Sequence, residues 1–211
     1  IIAGATFDCN LLCIAEKEIF VVDTVADELK RRMVANGAFE LTTAQIQQLT
    51  SFVFKGDAGC AHPVLNRDAV GRDADTLAKA IGLSVPSTTQ LLIGETTKEH
   101  PFVQHEQMTS FVPIVRCRDV HQAIEWAYEA EHGFGHTAIM HSKNVENMDK
   151  MAKVMNTTIF VKNGPSTAAL GSGGEGTSSF SIALATGEGI TTPRTFTRIR
   201  RCALVDYFRI I

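Results

Sequence analysis

Cys13 is the residue of this sequence whose surroundings most invite nucleophilic chemistry. It stands in Phe7-Asp8-Cys9-Asn10-Leu11-Leu12-Cys13-Ile14-Ala15-Glu16-Lys17, just ahead of a strand-like run and four residues before a lysine. A thiol of pKa ~8.5 becomes a useful nucleophile when a helix N-terminus or a nearby cation favours its thiolate. Spacing alone does not show that environment, and an isolated cysteine serves equally as a small buried hydrophobe. Cys9 would be a resolving thiol under oxidation. His132, His136 and His141 suggest a metal, but their spacing crosses a Gly-x-Gly turn into a strand. They would not share one helix face as zinc ligands do, so no metal is expected. Gly171-Ser172-Gly173-Gly174-Glu175-Gly176 spells GxGxxG. It follows no strand directly and opens no clear helix, which makes it a weak dinucleotide fingerprint.

The elements that must position these groups alternate in type. Glu18 to Val22, Leu91 to Ile93, Phe111 to Val115, Thr137 to Met140 and Thr158 to Val161 are short apolar runs that read as strands. Between them lie helical patterns with start and stop signals: Val25 to Met33 behind a Thr24 cap, Thr43 to Phe54, and Asp73 to Ile81 ended by Gly82. Val120 to Glu131 follows an Asp119 cap, and an Asn144 cap opens a helix through Met155. Lys55 to Gly71 is the clearest loop. Strands of four or five residues alternating with helices of about ten predict an α/β fold, a largely parallel sheet flanked by helices. Thr195 to Arg201 reads as a terminal edge strand whose arginines discourage uncontrolled pairing.

Twenty basic residues against 23 acidic ones leave a net charge of −3. That balance argues against a nucleic-acid partner, which calls for a basic excess and stacking aromatics. No apolar run approaches the ~20 residues of a membrane span. Five scattered cysteines (Cys9, Cys13, Cys60, Cys117, Cys202) in 211 residues are odd in number and dilute, so reduced thiols and a cytoplasmic location are expected. The opening Ile1-Ile2-Ala3-Gly4 is too short for a signal peptide and reads as an internal cut.

The string Thr6-Phe7-Asp8-x-Asn10-x-x-Cys13-Ile14-Ala15-Glu16-Lys17-Glu18 resembles the nucleophile segment of CoA-acylating aldehyde dehydrogenases of the ethanolamine- and propanediol-utilisation type. The likeness continues in order through Val70-Gly71-Arg72-Asp73-Ala74, Glu99-His100-Pro101-Phe102, His136-Thr137-Ala138 and Ile159 to Pro165. It ends in Gly173-Gly174-Glu175-Gly176 and Arg200-Arg201-Cys202. Leu12 and Ser110 stand where the family has proline, and Cys9 where it has asparagine, so fine loop geometry differs more than chemistry.

The resemblance implies an aldehyde-dehydrogenase-like catalytic domain over 1–190 and a terminal oligomerisation strand over 191–211. The family's N-terminal dinucleotide-binding domain would be absent from this chain. Cys13 would add to acetaldehyde or propionaldehyde, yield hydride to NAD and hold a thioacyl group that CoA removes. The Cys13 backbone N–H is a candidate oxyanion donor. Glu106 matches the family glutamate that receives the nicotinamide ribose hydroxyls, a common ribose-holding device; a solvated strand-end acid is the other account. His136 matches a histidine near the catalytic centre, although strand-end packing explains it equally well. Ser166 and Thr167 would line the acyl pocket, and the glycine-rich stretch would lie in a loop beside the active-site funnel. The partners implied are a small aldehyde, CoA, further copies of the chain, and bacterial microcompartment shell or cargo. Two other readings remain: a hydrolytic enzyme releasing free acid, and an inactive fragment serving assembly. The isolated portion is expected to be inactive or impaired.

Overall fold

A computed structural model describes residues 1–56, 63–176, 179, 181, 182, 190–203 and 205. Cys60, in the expected loop, and Leu204 and 206–211, at the terminus, lie outside the described residues.

Helix α1 (Ile2–Ala5) leads into β1 (Ile19–Val22), α2 (Asp23–Ala35), β2 (Ala38–Glu40) and α3 (Thr43–Val53). A ribbon of β3 (Phe54–Lys55) and β4 (Val64–Leu65) follows, then α4 (Ala74–Ala80), β5 (Leu91–Glu95), α5 (Pro101–Gln104) and β6 (Phe111–Cys117). The remainder runs through α6 (Val120–Ala130), β7 (Thr137–Met140), α7 (Val145–Met155) and β8 (Ile159–Lys162). Four strands form a wholly parallel sheet in the order β1-β6-β5-β2, with Ile19 opposite Ile114, Gly94 opposite Pro113 and Ala38 opposite Leu91. β7 and β8 make a separate parallel pair, and β3 and β4 are antiparallel.

Because side chains alternate along a strand, each face of the sheet builds its own core. Leu92 and Phe111 pack with Leu49, Val53, Leu77 and Phe102 of α3, α4 and α5. Leu91, Ile93, Val112 and Ile114 face the other way, onto Ala26 and Met33 of α2 and Ala5 of α1. A smaller cluster joins Ile14 to Ile159 and Val161 of β8, which seats the segment carrying Cys13 on the second sheet.

The expected strands and helices form, with local differences. Asp119 accepts from the Gln122 N–H at 2.9 Å and Asn144 from the Asn147 N–H at 3.0 Å, the caps read from sequence. Thr24 does not cap: α2 starts at Asp23, with Val22 as its N-cap, so Thr24 lies inside the first turn. Strand β2 was not expected, and Lys55 to Gly71 contains the short ribbon as well as loop.

At the terminus, Pro193–Phe196 is a 3-10 turn and residues 197–203 carry no regular structure, so the strand expected at Thr195 to Arg201 is not formed. Phe196 and Ile199 there are exposed. A strand needs a ladder partner for its N–H and C=O groups, and no pairing to another described strand is made by this segment.

Candidate active site

The segment before Cys13 has an unusual backbone. Asp8, Cys9 and Asn10 are consecutively left-handed, with φ of 49°, 51° and 65°. For residues with a Cβ this conformation costs roughly 1–2 kcal/mol each, so surrounding contacts must hold it. Asn10 is the centre of that support. It is fully buried, and its amide donates to the Ala5 and Glu16 carbonyls at 2.9 Å each. Its own carbonyl and its Oδ1 accept from Lys17 Nζ at 2.7 and 2.8 Å.

Glu16, also buried, accepts from the Ser166 N–H at 3.1 Å and its hydroxyl at 3.0 Å. Helix α1 presses against this carboxylate: a Cβ on Gly4 would stand 2.1 Å from Glu16 Oε2, which leaves room only for glycine. Ile14 is buried and the Ala15 N–H closes a turn onto the Leu12 carbonyl at 3.0 Å. Cys13 is therefore exposed on a segment fixed on both sides.

Lys17 also reaches Glu106 Oε1 at 3.3 Å. The lysine side chain is 14% exposed and that of Glu106 49%. Burial lowers the Lys17 pKa from its ordinary value, opposed by the charge of Glu106 and its hydrogen bond, and then by the charge of Cys13. Lys17 Nζ thus joins Asn10 of the Cys13 loop to Glu106. Nearby, the Glu131 carboxylate accepts from the His136 N–H at 2.9 Å, and His136 Nδ1 lies 2.6 Å from Thr137 Oγ1. Burial lowers the His136 pKa, against the pull of Glu106 and Glu131.

Glu18 belongs to the same group of charges. Burial pushes its carboxyl up to about 7, with Lys17 opposing and Glu106 and Glu131 adding to the rise. The folded chain thus holds this proton more tightly than the unfolded one, whose carboxyl has the usual value of 4.5. Stability contributed by the protonated form is lost as pH climbs through that window and is level above it. Glu18→Gln is accordingly expected to raise the thermal unfolding midpoint at pH 8 and leave it nearly unchanged at pH 4. Equal shifts at both values would contradict the assignment.

Of the other residues singled out from sequence, Ser166 and Thr167 are buried in a 3-10 turn (Ser166–Leu170) beside β8. The Ser166 hydroxyl is committed to Glu16. Cys9 Sγ donates to Asp73 Oδ1 at 3.3 Å, and burial, then Asp73, raises its pKa. Ser110 uses the hydroxyl that a proline would lack to bond the Arg72 carbonyl at 2.8 Å. The glycine-rich stretch Gly171 to Gly176 is exposed and follows the 3-10 turn, not a strand. His132 Nε2 lies 3.1 Å from the Gln104 carbonyl. Asn10 and Glu16 carry no site role in the sequence reading, and Lys17 enters it only as a cation close to Cys13. Their only signal was membership of the string around Cys13.

The exposed Cys13 thus stands on a pinned loop of a parallel α/β domain, and the Asn10 of that loop also holds Lys17, the ion-pair partner of Glu106. No protein-family model matches the chain. It is 51% identical over 211 residues to acetaldehyde dehydrogenase (acetylating) EutE of Escherichia coli K12, covering 100% of this chain and 45% of that protein.

Three solved structures are similar. The propionaldehyde dehydrogenase of the Clostridium phytofermentans fucose utilisation bacterial microcompartment has a TM-score of 0.89 at 45% identity, over 98% of this chain and 46% of that one. The Rhodopseudomonas palustris propionaldehyde dehydrogenase with bound CoA and an acylated cysteine has a TM-score of 0.90 at 46% identity, over 96% and 45%. An engineered glycolyl-CoA reductase with bound NADP+ has a TM-score of 0.90 at 45% identity, over 96% and 45%. The chain is a homologue, along its whole length, of the CoA-acylating aldehyde dehydrogenases, and it spans less than half the length of these relatives.

Proposed function

We propose that this chain supplies the nucleophile-bearing portion of an enzyme converting a short aldehyde, acetaldehyde or propionaldehyde, to acyl-CoA. The observation that carries the reading is the exposed Cys13 on its buried, hydrogen-bonded support, with Lys17 bridging to Glu106. The half-exposed Glu106 carboxylate suits the two hydroxyls of a ribose, and the relative with bound NADP+ supports a nicotinamide dinucleotide there. When bound, the dinucleotide supplies a hydride acceptor and CoA supplies the thiol that takes the acyl group.

The chain's own residues do the rest. The Cys13 thiolate forms a carbon–sulfur bond to the aldehyde carbon, and the carbonyl electrons move to oxygen. The backbone N–H of Cys13 would donate to the resulting oxyanion. Loss of hydride leaves a thioester on Cys13, and attack by the CoA thiol breaks that bond and restores the thiolate. The acylated cysteine of the Rhodopseudomonas relative supports this order. Glu106 orients the ribose, His136 borders the reacting groups, and Thr167 with the flank of Ser166 lines the acyl pocket. We assign 1–190 to this catalytic unit and 191–211 to contact with another copy of the chain, where its exposed apolar and basic residues would find a partner. The Clostridium relative supports a microcompartment setting.

The test is product analysis of the full-length enzyme that contains this sequence. With acetaldehyde or propionaldehyde, NAD and CoA, it is expected to form acyl-CoA and NADH in equal amounts. Free acid formed at the same rate without CoA would overturn the reading in favour of hydrolysis.

A further inference from the structure

We propose that Glu16 is a positioning residue that holds the 3-10 turn Ser166–Leu170 against the segment of Cys13, and so fixes the wall of the acyl pocket relative to the nucleophile. This rests on the roles given above to Cys13, Ser166 and Thr167.

The turn does not complete its own start. A helical turn leaves its first N–H groups without partners inside the helix, and an N-cap side chain commonly supplies one. Here the N-cap is Pro165, which has no group to offer, and Ser166 is fully buried away from water. The first bond of the turn runs from the Ala168 N–H to the Pro165 carbonyl at 2.9 Å, past Ser166. Glu16 supplies the missing acceptor from 150 residues away. One carboxylate oxygen accepts from the Ser166 N–H at 3.1 Å and the other from its hydroxyl at 3.0 Å. Both oxygens are thus committed to one residue, from a glutamate only 6% exposed.

Glu16 is in turn fixed on its own side. Its carbonyl accepts from the Asn10 amide at 2.9 Å, and Gly4 of α1 backs its carboxylate. Between Glu16 and the nucleophile stand only Ile14 and Ala15, both buried. Leu12, Ala168, Ala169 and Leu170 pack on the cluster of Ile14, Ile159 and Val161, so both neighbours of Cys13 share an apolar base with the body of the turn. Apolar packing is non-directional. The two bonds to Ser166 are directional, and they set how the turn is rotated and where buried Thr167 stands. Aldehydes that differ by a methylene are told apart by how closely such a wall fits, by roughly tenfold or more.

The experiment compares kcat/KM for acetaldehyde and butyraldehyde in the full-length enzyme. It also compares alkylation of Cys13 by iodoacetamide and by the bulkier N-ethylmaleimide, with the Cys13 peptide quantified by mass spectrometry. A ratio of kcat/KM values does not change with the folded fraction, so a loss of stability alone leaves it in place. Glu16→Ala is expected to raise the butyraldehyde-to-acetaldehyde ratio about three- to tenfold, part of the discrimination a methylene carries. The N-ethylmaleimide-to-iodoacetamide ratio should rise with it. Glu16→Gln still accepts from the N–H and can donate to the hydroxyl oxygen, so it should keep both ratios near those of the unaltered enzyme.

Two further variants approach from other sides. The Cβ of Gly4→Ala, 2.1 Å from Oε2, must displace the carboxylate and should move both ratios as Glu16→Ala does, and it decides alone if Glu16→Ala fails to fold. Ser166→Ala removes only the hydroxyl bond and should give a smaller shift that is absent in the Glu16→Ala background. An equal Ser166→Ala shift in both backgrounds would mean that Ser166 acts on the pocket directly, and would overturn the role of Glu16. Unchanged ratios in Glu16→Ala and Gly4→Ala, whatever the turnover, would overturn it as well. If the alkylation ratios move as expected but no acyl-CoA forms, the functional reading fails and the hold of Glu16 on the turn stands.

Discussion

Cys13→Ala in the full-length enzyme is expected to reduce acyl-CoA formation at least about 10³-fold, the scale on which removing a covalent nucleophile acts. Stability should barely change, because the thiol is exposed and the supports of its loop belong to other residues: Asn10, Glu16 and Ile14. Surface substitutions that touch no such feature stay within about 0.5 kcal/mol. The contrast with the other thiols makes the prediction specific. Cys117 is buried in β6, and burial pushes its thiol up to about 11, so it contributes no thiolate near neutrality. Cys9 is held by Asp73, which with burial raises its pKa, so Cys9→Ala should leave most of the turnover. Steady-state acyl-CoA formation and thermal melting check both variants. Normal turnover in Cys13→Ala would sink the assignment of the nucleophile.

Features fixed by neighbours along the chain are legible in the sequence. The caps at Asp119 and Asn144 rest on a side chain meeting an N–H three residues on, and both form. The runs that form β1, β5, β6, β7 and β8 are dense in apolar and β-branched residues, and β5 and β6, buried on both faces, are the most continuous of them. Strand β2 spans three residues, Ala38–Glu40, and owes its form to pairing with β5, a contact no local pattern shows. At Thr195 to Arg201 the alternation looks strand-like but supplies no partner edge, and no strand forms.

The candidate site divides in the same way. Cys13 and Glu106 stood out through a resemblance spanning the chain, not through periodicity. The framework beneath them depends on contacts across long separations: Ser166 meets Glu16 over 150 residues, and Lys17 meets Glu106 from another strand approach. Glu16, Lys17 and Glu18 are three adjacent charged residues in the sequence, with nothing to mark one as buried under α1, one as a bridge and one as a carboxyl raised towards neutrality. Burial and partners separate them, and both are products of the fold.

Asn10→Ala carries the second large expected effect, because one side chain performs three tasks. Its amide satisfies two carbonyls in a fully buried position, its Oδ1 receives Lys17, and asparagine tolerates the left-handed conformation at φ 65° better than alanine. Net hydrogen-bond losses near 1 kcal/mol each, together with the less favourable backbone, bring the expected destabilisation to about 2–4 kcal/mol. Urea unfolding at pH 7 measures it.

Activity should fall further than stability alone explains, by about 10²-fold under conditions where the variant remains folded. The Ala5 and Glu16 carbonyls and Lys17 are the points from which the Cys13 loop hangs, and a displacement of ~1 Å at a reacting atom is enough for such a loss. Asn10→Asp is the informative companion. It keeps tolerance of the left-handed backbone and an acceptor for Lys17, but sets a carboxylate against two carbonyls. It should therefore recover the contact with Lys17 and remain destabilised. Leu11→Ala, at an exposed neighbour in the same loop, serves as the reference. If Asn10→Ala loses no more stability or turnover than Leu11→Ala, the loop is not held from Asn10, and the geometry of Cys13 must be set through Ile14, Glu16 and Ser166.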